Sequence, residues 1–163
     1  MIRVAILTIS DSCAQGQRED LSGRTIRELL PNDTFEVVES RVVPDDREQV
    51  VMELVRLSSR VEIDLVLTTG GTGLGPRDVT PEATASVCER MVPGLAELMR
   101  VEGYKKTPNA VLSRAVTGVR KDTLIVNLPG SVKAVRECLE LIVDILPHAT
   151  DMMRGGGHER KEA

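Results

Sequence analysis

Two periodicities alternate along the chain. Residues 2–9 are almost continuously apolar and rich in β-branched side chains, as expected of a strand covered on both faces. Comparable runs follow at 35–43, 64–67, 116–120 and 123–127. Only Lys121 and Asp122 separate the last two, which predicts a hairpin. Between the runs, apolar residues recur every three or four positions. A short helix is predicted over 24–30, stopped by Pro31, with Ser22 as its N-cap and Asp20 in a polar loop without an assigned role. A helix over 47–60 places Val50, Val51, Leu54 and Leu57 on one face. Another is predicted over 82–91, ended by Pro93, and a further piece over 95–104 has apolar residues enough for core packing or a subunit contact. The final stripe, Val132, Val135, Leu139, Ile142 and Leu146, breaks near Pro147 and continues for a turn towards Met153. Strands alternating with helices predict an α/β fold: a three-layer αβα sandwich with a mostly parallel, mixed sheet. The 116–120 run is its one antiparallel edge strand. One domain is expected over 1–154, with 155–163, glycines followed by charges, as a loose tail.

Composition narrows the possible functions. At 163 residues the chain fits a single domain, able to bury roughly 70% of its unfolded surface. Phe35 and Tyr104 are its only aromatics and it has no tryptophan, so the core is aliphatic and base-stacking platforms are excluded. A net charge of −4 argues against a nucleic-acid groove; any phosphate binding must be local. Cys13, Cys88 and Cys138 form neither a C-x-x-C pair nor a disulfide framework, which fits a reducing compartment. His148 and His158 are the only histidines, too few for a histidine-rich metal site. No apolar run approaches the ~18 residues of a membrane span, and Arg3 with Ser10-Asp11 rules out a signal-peptide pattern. A cytoplasmic location, without membrane or nucleic-acid partners, is the expectation.

The chemistry concentrates in 68–82, where Gly70, Gly71, Gly73 and Gly75 lie beside Thr69, Thr72, Arg77 and Asp78. Backbone N–H groups can converge on an anion in such a loop. Thr80-Pro81-Glu82 reads as the following helix start. Pro76 breaks the spacing of a dinucleotide fingerprint, and the absence of lysine excludes a Walker loop. Ser10-Asp11 sits at the carboxyl end of the first strand and Pro129-Gly130-Ser131 at that of the last, the side where open α/β sheets bind ligands. Ser131, at a helix start, can both cap and offer donors to an anion, but nothing near it makes it a nucleophile. Asp45 and Asp46 follow Pro44, and either can cap the next helix.

These segments resemble the molybdopterin adenylyltransferase family, which includes the G domain of gephyrin. The family's T-x-G-G-T-G-x-x-x-R-D-V-T-P-E-A signature is matched from Thr68 to Ala83. Ser10-Asp11-Ser12, Val43-Pro44-Asp45-Asp46, Leu112-Ser113-Arg114-Ala115 and Asn127-Leu128-Pro129-Gly130-Ser131 agree in the same order, so the likeness spans residues 3–154. It implies transfer of AMP from Mg-ATP to the terminal phosphate of molybdopterin, with release of pyrophosphate, in molybdenum-cofactor synthesis. By the same resemblance Asp45 and Asp78 are the catalytic carboxylates and hold Mg²⁺, leaving Asp46 as the helix cap. Gly70, Gly71, Thr72 and Gly73 cradle phosphate. Ser10, Asp11, Thr69, Arg77, Ser113, Arg114, Pro129, Gly130 and Ser131 line the substrate site. Two carboxylates on separate loops suit Mg²⁺, which commonly takes one or two carboxylates with phosphate oxygens. The family is usually a homotrimer and hands its product to a molybdenum-insertion protein. Two other readings are a pterin-binding carrier or scaffold without catalysis, and a nucleotide pyrophosphatase like the related domain of competence-damage proteins. Carriers often lose the R-D-V-T-P-E segment, which is intact here from Arg77 to Glu82.

Overall fold

The computed structural model describes residues 1–156. Six strands form one sheet: β1 (Ile2–Ile9), β2 (Phe35–Val43), β3 (Leu65–Thr69), β4 (Arg90–Met91), β5 (Thr117–Arg120) and β6 (Thr123–Leu128). Their spatial order is β2-β1-β3-β6-β5-β4. β1, β2, β3 and β6 are mutually parallel, whereas β5 runs antiparallel to both its neighbours. The helices are α1 (Asp11–Ala14), α2 (Leu21–Leu29), α3 (Arg47–Ser58), α4 (Thr80–Val87), α5 (Pro93–Lys106), α6 (Val132–Ile142) and α7 (Leu146–Met153), with a 3₁₀ turn at Pro108–Leu112.

Alternation along the central strands divides the core in two. Val4 and Ile6 of β1 face a layer built with Ile26, Leu95, Met99, Val135, Leu139 and Leu146 from α2, α5, α6 and α7. Ala5, Leu7 and Ile9 face the other, built with Val50, Leu54, Leu57 and Ala83 from α3 and α4. The result is the expected three-layer sandwich. From β1 the chain moves outward to β2, then crosses back over β1 to β3. The crevice outside the carboxyl ends of β1 and β3 is therefore the switch point at which such sheets receive ligands.

Local departures from the sequence reading have local causes. α2 begins at Leu21, and its cap is Asp20 rather than Ser22. The Asp20 carboxylate accepts the Gly23 N–H at 2.8 Å and the Thr8 hydroxyl at 2.7 Å, so strand β1 fixes where the helix starts. Asp46 caps α3 by accepting the Gln49 N–H at 2.9 Å. α4 stops at Val87, and Arg90–Met91, expected as helix, pairs with Val119 and Gly118 as β4. That short strand lies outside β5 and completes the antiparallel edge. Lys121, at φ 51°, turns the β5–β6 hairpin as predicted.

At the opposite end of the sheet, Asp64 precedes β3 and is 5% exposed. It accepts bonds from the Arg3 N–H and guanidinium at 2.9–3.0 Å and from Arg154 at 2.6 Å. Burial pushes this carboxyl up, but the hydrogen bonds from Arg3 and Arg154 outweigh it and hold the pKa at about 2. Gly155 and Gly156 still donate to Met152 and Asp151 carbonyls. The remainder of the expected tail, 157–163, lies outside the described residues.

Candidate active site

The site begins with backbone packed on backbone. Gly70, at φ 98°, follows β3 and donates its N–H to the Leu128 carbonyl of β6 at 3.2 Å. A Cβ at Gly70 would stand 2.2 Å from the Ile9 carbonyl of β1, and one at Gly130 would stand 3.3 Å from the Gly70 Cα. The ends of β1, β3 and β6 thus meet so closely that Gly70 admits no side chain and Gly130 leaves little room for one. Thr69, fully buried in β3, donates its hydroxyl to the Pro129 carbonyl at 2.7 Å, closing the same junction. The loop then returns over α4. Thr80 Oγ1 donates to the Gly70 carbonyl at 2.8 Å, and the Thr80 N–H to the Gly71 carbonyl at 3.1 Å.

Asp45 comes to the loop from β2. A Cβ at Gly71 would lie 3.2 Å from Asp45 Oδ1. Asp45 and Asp11 hold one another reciprocally: the Asp11 N–H donates to Asp45 Oδ2 at 2.8 Å, and the Asp45 N–H to Asp11 Oδ1 at 3.0 Å. Arg77 closes this arrangement from above, with Nε and Nη2 each 2.8 Å from the Asp11 carboxylate. On the other side of the loop, Asp78 accepts the Gly75 N–H at 2.8 Å. Its Oδ2 fills a hollow where a Cβ at Gly73 or Gly75 would come within 2.8 or 2.9 Å.

These neighbours split the carboxylates electrostatically. The Arg77 hydrogen bond, helped by the Asp45 N–H, holds Asp11 below the ordinary carboxylate range. Asp45 moves the other way. Burial pushes it up, and the charges of Asp11 and Asp78 add to the rise, against the opposing Asp11 N–H and Arg77. A half-buried carboxyl facing two further carboxylates is an environment that a cation relieves. Among the described residues no three His, Cys, Asp or Glu side chains cluster as a self-sufficient metal cage. The donor set fits Mg²⁺, which takes one or two carboxylates and completes its shell with phosphate oxygens and water.

The remaining predicted residues divide into rim and scaffold. Ser113, Pro129 and Ser131 border a cavity of about 360 Å³ between α5, the 3₁₀ turn and α6. Ser131 also caps α6, accepting the Ala134 N–H at 3.2 Å. Ser10 caps α1 through the Cys13 N–H at 3.3 Å and contacts Ser12 Oγ at 3.2 Å. Thr72 is buried, and its carbonyl accepts the Arg114 N–H at 2.9 Å. Arg114 spends its guanidinium on the protein, reaching the Gly73 and Asp78 carbonyls and the Glu82 carboxylate.

Residues 5–148 match the family model described as "Probable molybdopterin binding domain". The molybdopterin adenylyltransferase of Helicobacter pylori J99 is 42% identical over 156 residues, 94% of this chain and 89% of that protein. The chain belongs to the molybdopterin-binding domain family. The molybdopterin adenylyltransferase of Escherichia coli K12 is 40% identical, covering 88% of this chain and 74% of that one. The crystal structure of the molybdopterin biosynthesis enzyme MoaB from Thermus thermophilus superposes with a TM-score of 0.90 at 52% identity, over 95% of this chain and 98% of that one.

Around the candidate site, several residues have partners or neighbours that the sequence does not reveal. Gly75 belongs to the run that reveals the loop, and its contact with Asp78 distinguishes it from a spacer. Asn127 donates to the hydroxyls of Thr68 at 3.0 Å and Thr84 at 2.9 Å and accepts the Val116 N–H at 3.2 Å. It joins β6 to β3, to α4 and to the residue that leads into β5. Arg100, Lys106 and Lys133 line the cavity beside Ser113 and Ser131; scattered over two helices, they form no motif.

Proposed function

We propose that the protein transfers AMP from Mg-ATP to the terminal phosphate of molybdopterin, releasing pyrophosphate, as a step of molybdenum-cofactor synthesis. The observation that carries this is the placement of Asp45, from the end of β2, against Gly71 of the glycine loop that itself carries Asp78, in a chain with 42% identity to a molybdopterin adenylyltransferase. An oxygen of the pterin's terminal phosphate attacks the α-phosphorus of ATP, and the bond from that phosphorus to the bridging oxygen of the leaving pyrophosphate breaks. The attacking oxygen is already anionic, so no side-chain nucleophile or general base is needed. Such a transfer depends on positioning and charge neutralisation, which suits a loop rich in backbone donors.

Asp45 and Asp78 are the residues that would hold Mg²⁺, which when bound neutralises phosphate charge and aligns the reacting groups. The N–H groups of Gly71, Thr72 and Gly73 cradle phosphate, Gly70, whose own N–H is bonded to the Leu128 carbonyl, holds the turn that presents them, and Arg77 supplies a cation above. Ser113, Pro129 and Ser131 place the acceptor in the adjoining cavity. Asp11 shapes the floor by its reciprocal bonds with Asp45, and Ser10 holds the start of α1 that carries Asp11.

The reading extends to a cytoplasmic homotrimer that passes its product to a molybdenum-insertion protein. No described helix is long and apolar enough to cross a membrane. Val101 and Tyr104 of α5, with Val111 and Leu112 of the 3₁₀ turn, are 50–59% exposed and offer an apolar surface for subunit contact. Pyrophosphate release from Mg-ATP with and without molybdopterin tests the activity. Release that requires molybdopterin supports adenylyl transfer. No release despite pterin binding would make the protein a carrier, and release without pterin a nucleotide pyrophosphatase. Sedimentation equilibrium tests the trimer.

A further inference from the structure

Arg114 extends from the connection between the 3₁₀ turn and β5 across the open side of the glycine loop. Its backbone N–H donates to the Thr72 carbonyl at 2.9 Å. Nε donates to the Gly73 carbonyl at 2.8 Å, Nη2 to the Asp78 carbonyl at 2.7 Å, and Nη1 to the Glu82 carboxylate. These partners run from the start of the loop to the first turn of α4. They include the main chain of Asp78, and of Gly73, against which the Asp78 carboxylate rests. Every guanidinium nitrogen is engaged with the protein, so three of the five N–H donors, including one on each arm of the fork, are committed to the loop and to α4.

We infer that Arg114 is a positioning residue: a clasp that fixes the loop so that Asp78 faces the reacting phosphates, rather than a ligand of the substrate. The inference rests on the adenylyltransferase reading for its effect on turnover, but its structural half stands alone. Three acceptors lie in three directions, matched by the planar fork of a guanidinium. An ammonium, a point charge on a flexible stem, cannot hold all three in place. This separates the clasp from the simpler role. A residue that only attracts an anion is largely replaced by lysine; one that holds three fixed acceptors is not.

The experiment compares Arg114→Lys and Arg114→Ala with the unmodified protein by amide hydrogen exchange, by calorimetric titration of Mg-ATP, and by AMP-transfer kinetics. Both variants are expected to exchange faster across residues 72–79 and to bind Mg-ATP more weakly. Both should lose about 10- to 100-fold in kcat, the usual effect of removing a support behind a functional carboxylate. Low-millimolar guanidinium should restore loop protection and turnover to Arg114→Ala, because the vacated site is partly open to solvent (Arg114 side chain 34% exposed). Overturning results are equally definite. Normal loop exchange and turnover in Arg114→Lys, with only the KM for molybdopterin raised in Arg114→Ala, would make Arg114 a substrate contact. Should Arg114→Ala fail to fold, Arg114→Lys decides by the same measurements. Absence of transfer by the unmodified protein would defeat the adenylyltransferase reading, while exchange and Mg-ATP titration would still support or overturn the clasp.

Discussion

At the amino end of β3, Asp64 accepts hydrogen bonds from Arg3 and Arg154; beyond the carboxyl end of β2, Asp45 faces the charges of Asp11 and Asp78. Burial pushes both carboxyls up. At Asp64 two guanidiniums overcome that push and hold the group at about 2. At Asp45 the nearby guanidinium, Arg77, is bonded to Asp11 instead, and the group stays raised. The first arrangement is complete within the chain and belongs to stability. The second is electrostatically unfinished, as expected of groups organised for a ligand.

The sharpest way to break this comparison is to remove the charge on each carboxylate at the unfinished end. Asp78→Asn retains an oxygen for the Gly75 N–H, so its stability should stay within about 0.5 kcal/mol of the unmodified protein. Its AMP transfer should fall on the order of 100-fold or more, the loss of several kcal/mol of metal-linked transition-state stabilisation. Asp45→Asn should share that loss. Pyrophosphate release together with thermal melting checks both, and near-normal turnover by a folded Asp78→Asn protein would remove Asp78 from the machinery.

The complete end should respond in the opposite sense. Asp64→Ala strips the shared partner from Arg3 and Arg154 and should cost about 3 kcal/mol. For a chain of this size that is a fall in Tm of about 6 to 12 °C, with kcat per folded molecule unchanged. Lost turnover at preserved stability would erase the distinction between the ends.

Acidity provides a second measure of the same contrast. The folded pKa of Asp64 is about 2 against an ordinary 3.8. Its contribution is therefore fully present above pH 3.8 and is lost as pH falls through the folded value. The amount is about 2 kcal/mol, from 1.36 kcal/mol per pKa unit. Denaturant titrations from about pH 5 down to about pH 2 should show this decline in the unmodified protein, and the Asp64→Ala variant should lack that component.

What can be read from sequence follows from where the partners lie. The glycine loop is a contiguous pattern, so residue types and spacing disclose it; they also narrow the α3 cap to Asp45 or Asp46, and the family resemblance chooses Asp46 and singles out Asp78. The Asp20 cap depends on Thr8 across β1, and β4 depends on Gly118 and Val119 of a later strand; neither partner is visible locally. Ser22 therefore looks like the better cap, and Arg90–Met91 like the end of a helix. Arg114 draws attention as a cation in a short motif, but two of its side-chain partners are backbone carbonyls, which leave no trace in residue identity. The Asp64 clasp joins residues near both ends of the described chain and lies beyond any periodicity argument.

The smallest effects distinguish two adjacent aspartates. Asp46 caps α3 through the Gln49 N–H, so Asp46→Ala should cost about 1 kcal/mol and leave AMP transfer intact. Asp45 is raised in the folded state. A raised carboxyl favours the folded protein most fully below its unfolded pKa, and that advantage is lost as pH rises through the folded value. At neutral pH the charged Asp45 therefore opposes folding relative to a neutral side chain. Asp45→Asn, whose amide oxygen can still accept the Asp11 N–H, should melt slightly higher at about pH 7. That gain should shrink as the pH is lowered and Asp45 in the unmodified protein becomes protonated. Melting curves of the two variants across pH, paired with turnover at neutral pH, decide the matter. A stability loss in Asp45→Asn equal to that in Asp46→Ala would place Asp45 with Asp64 among the structural carboxylates. A small gain accompanied by lost activity is what an electrostatically unfinished site requires, because the group that opposes folding is the one the bound cation needs.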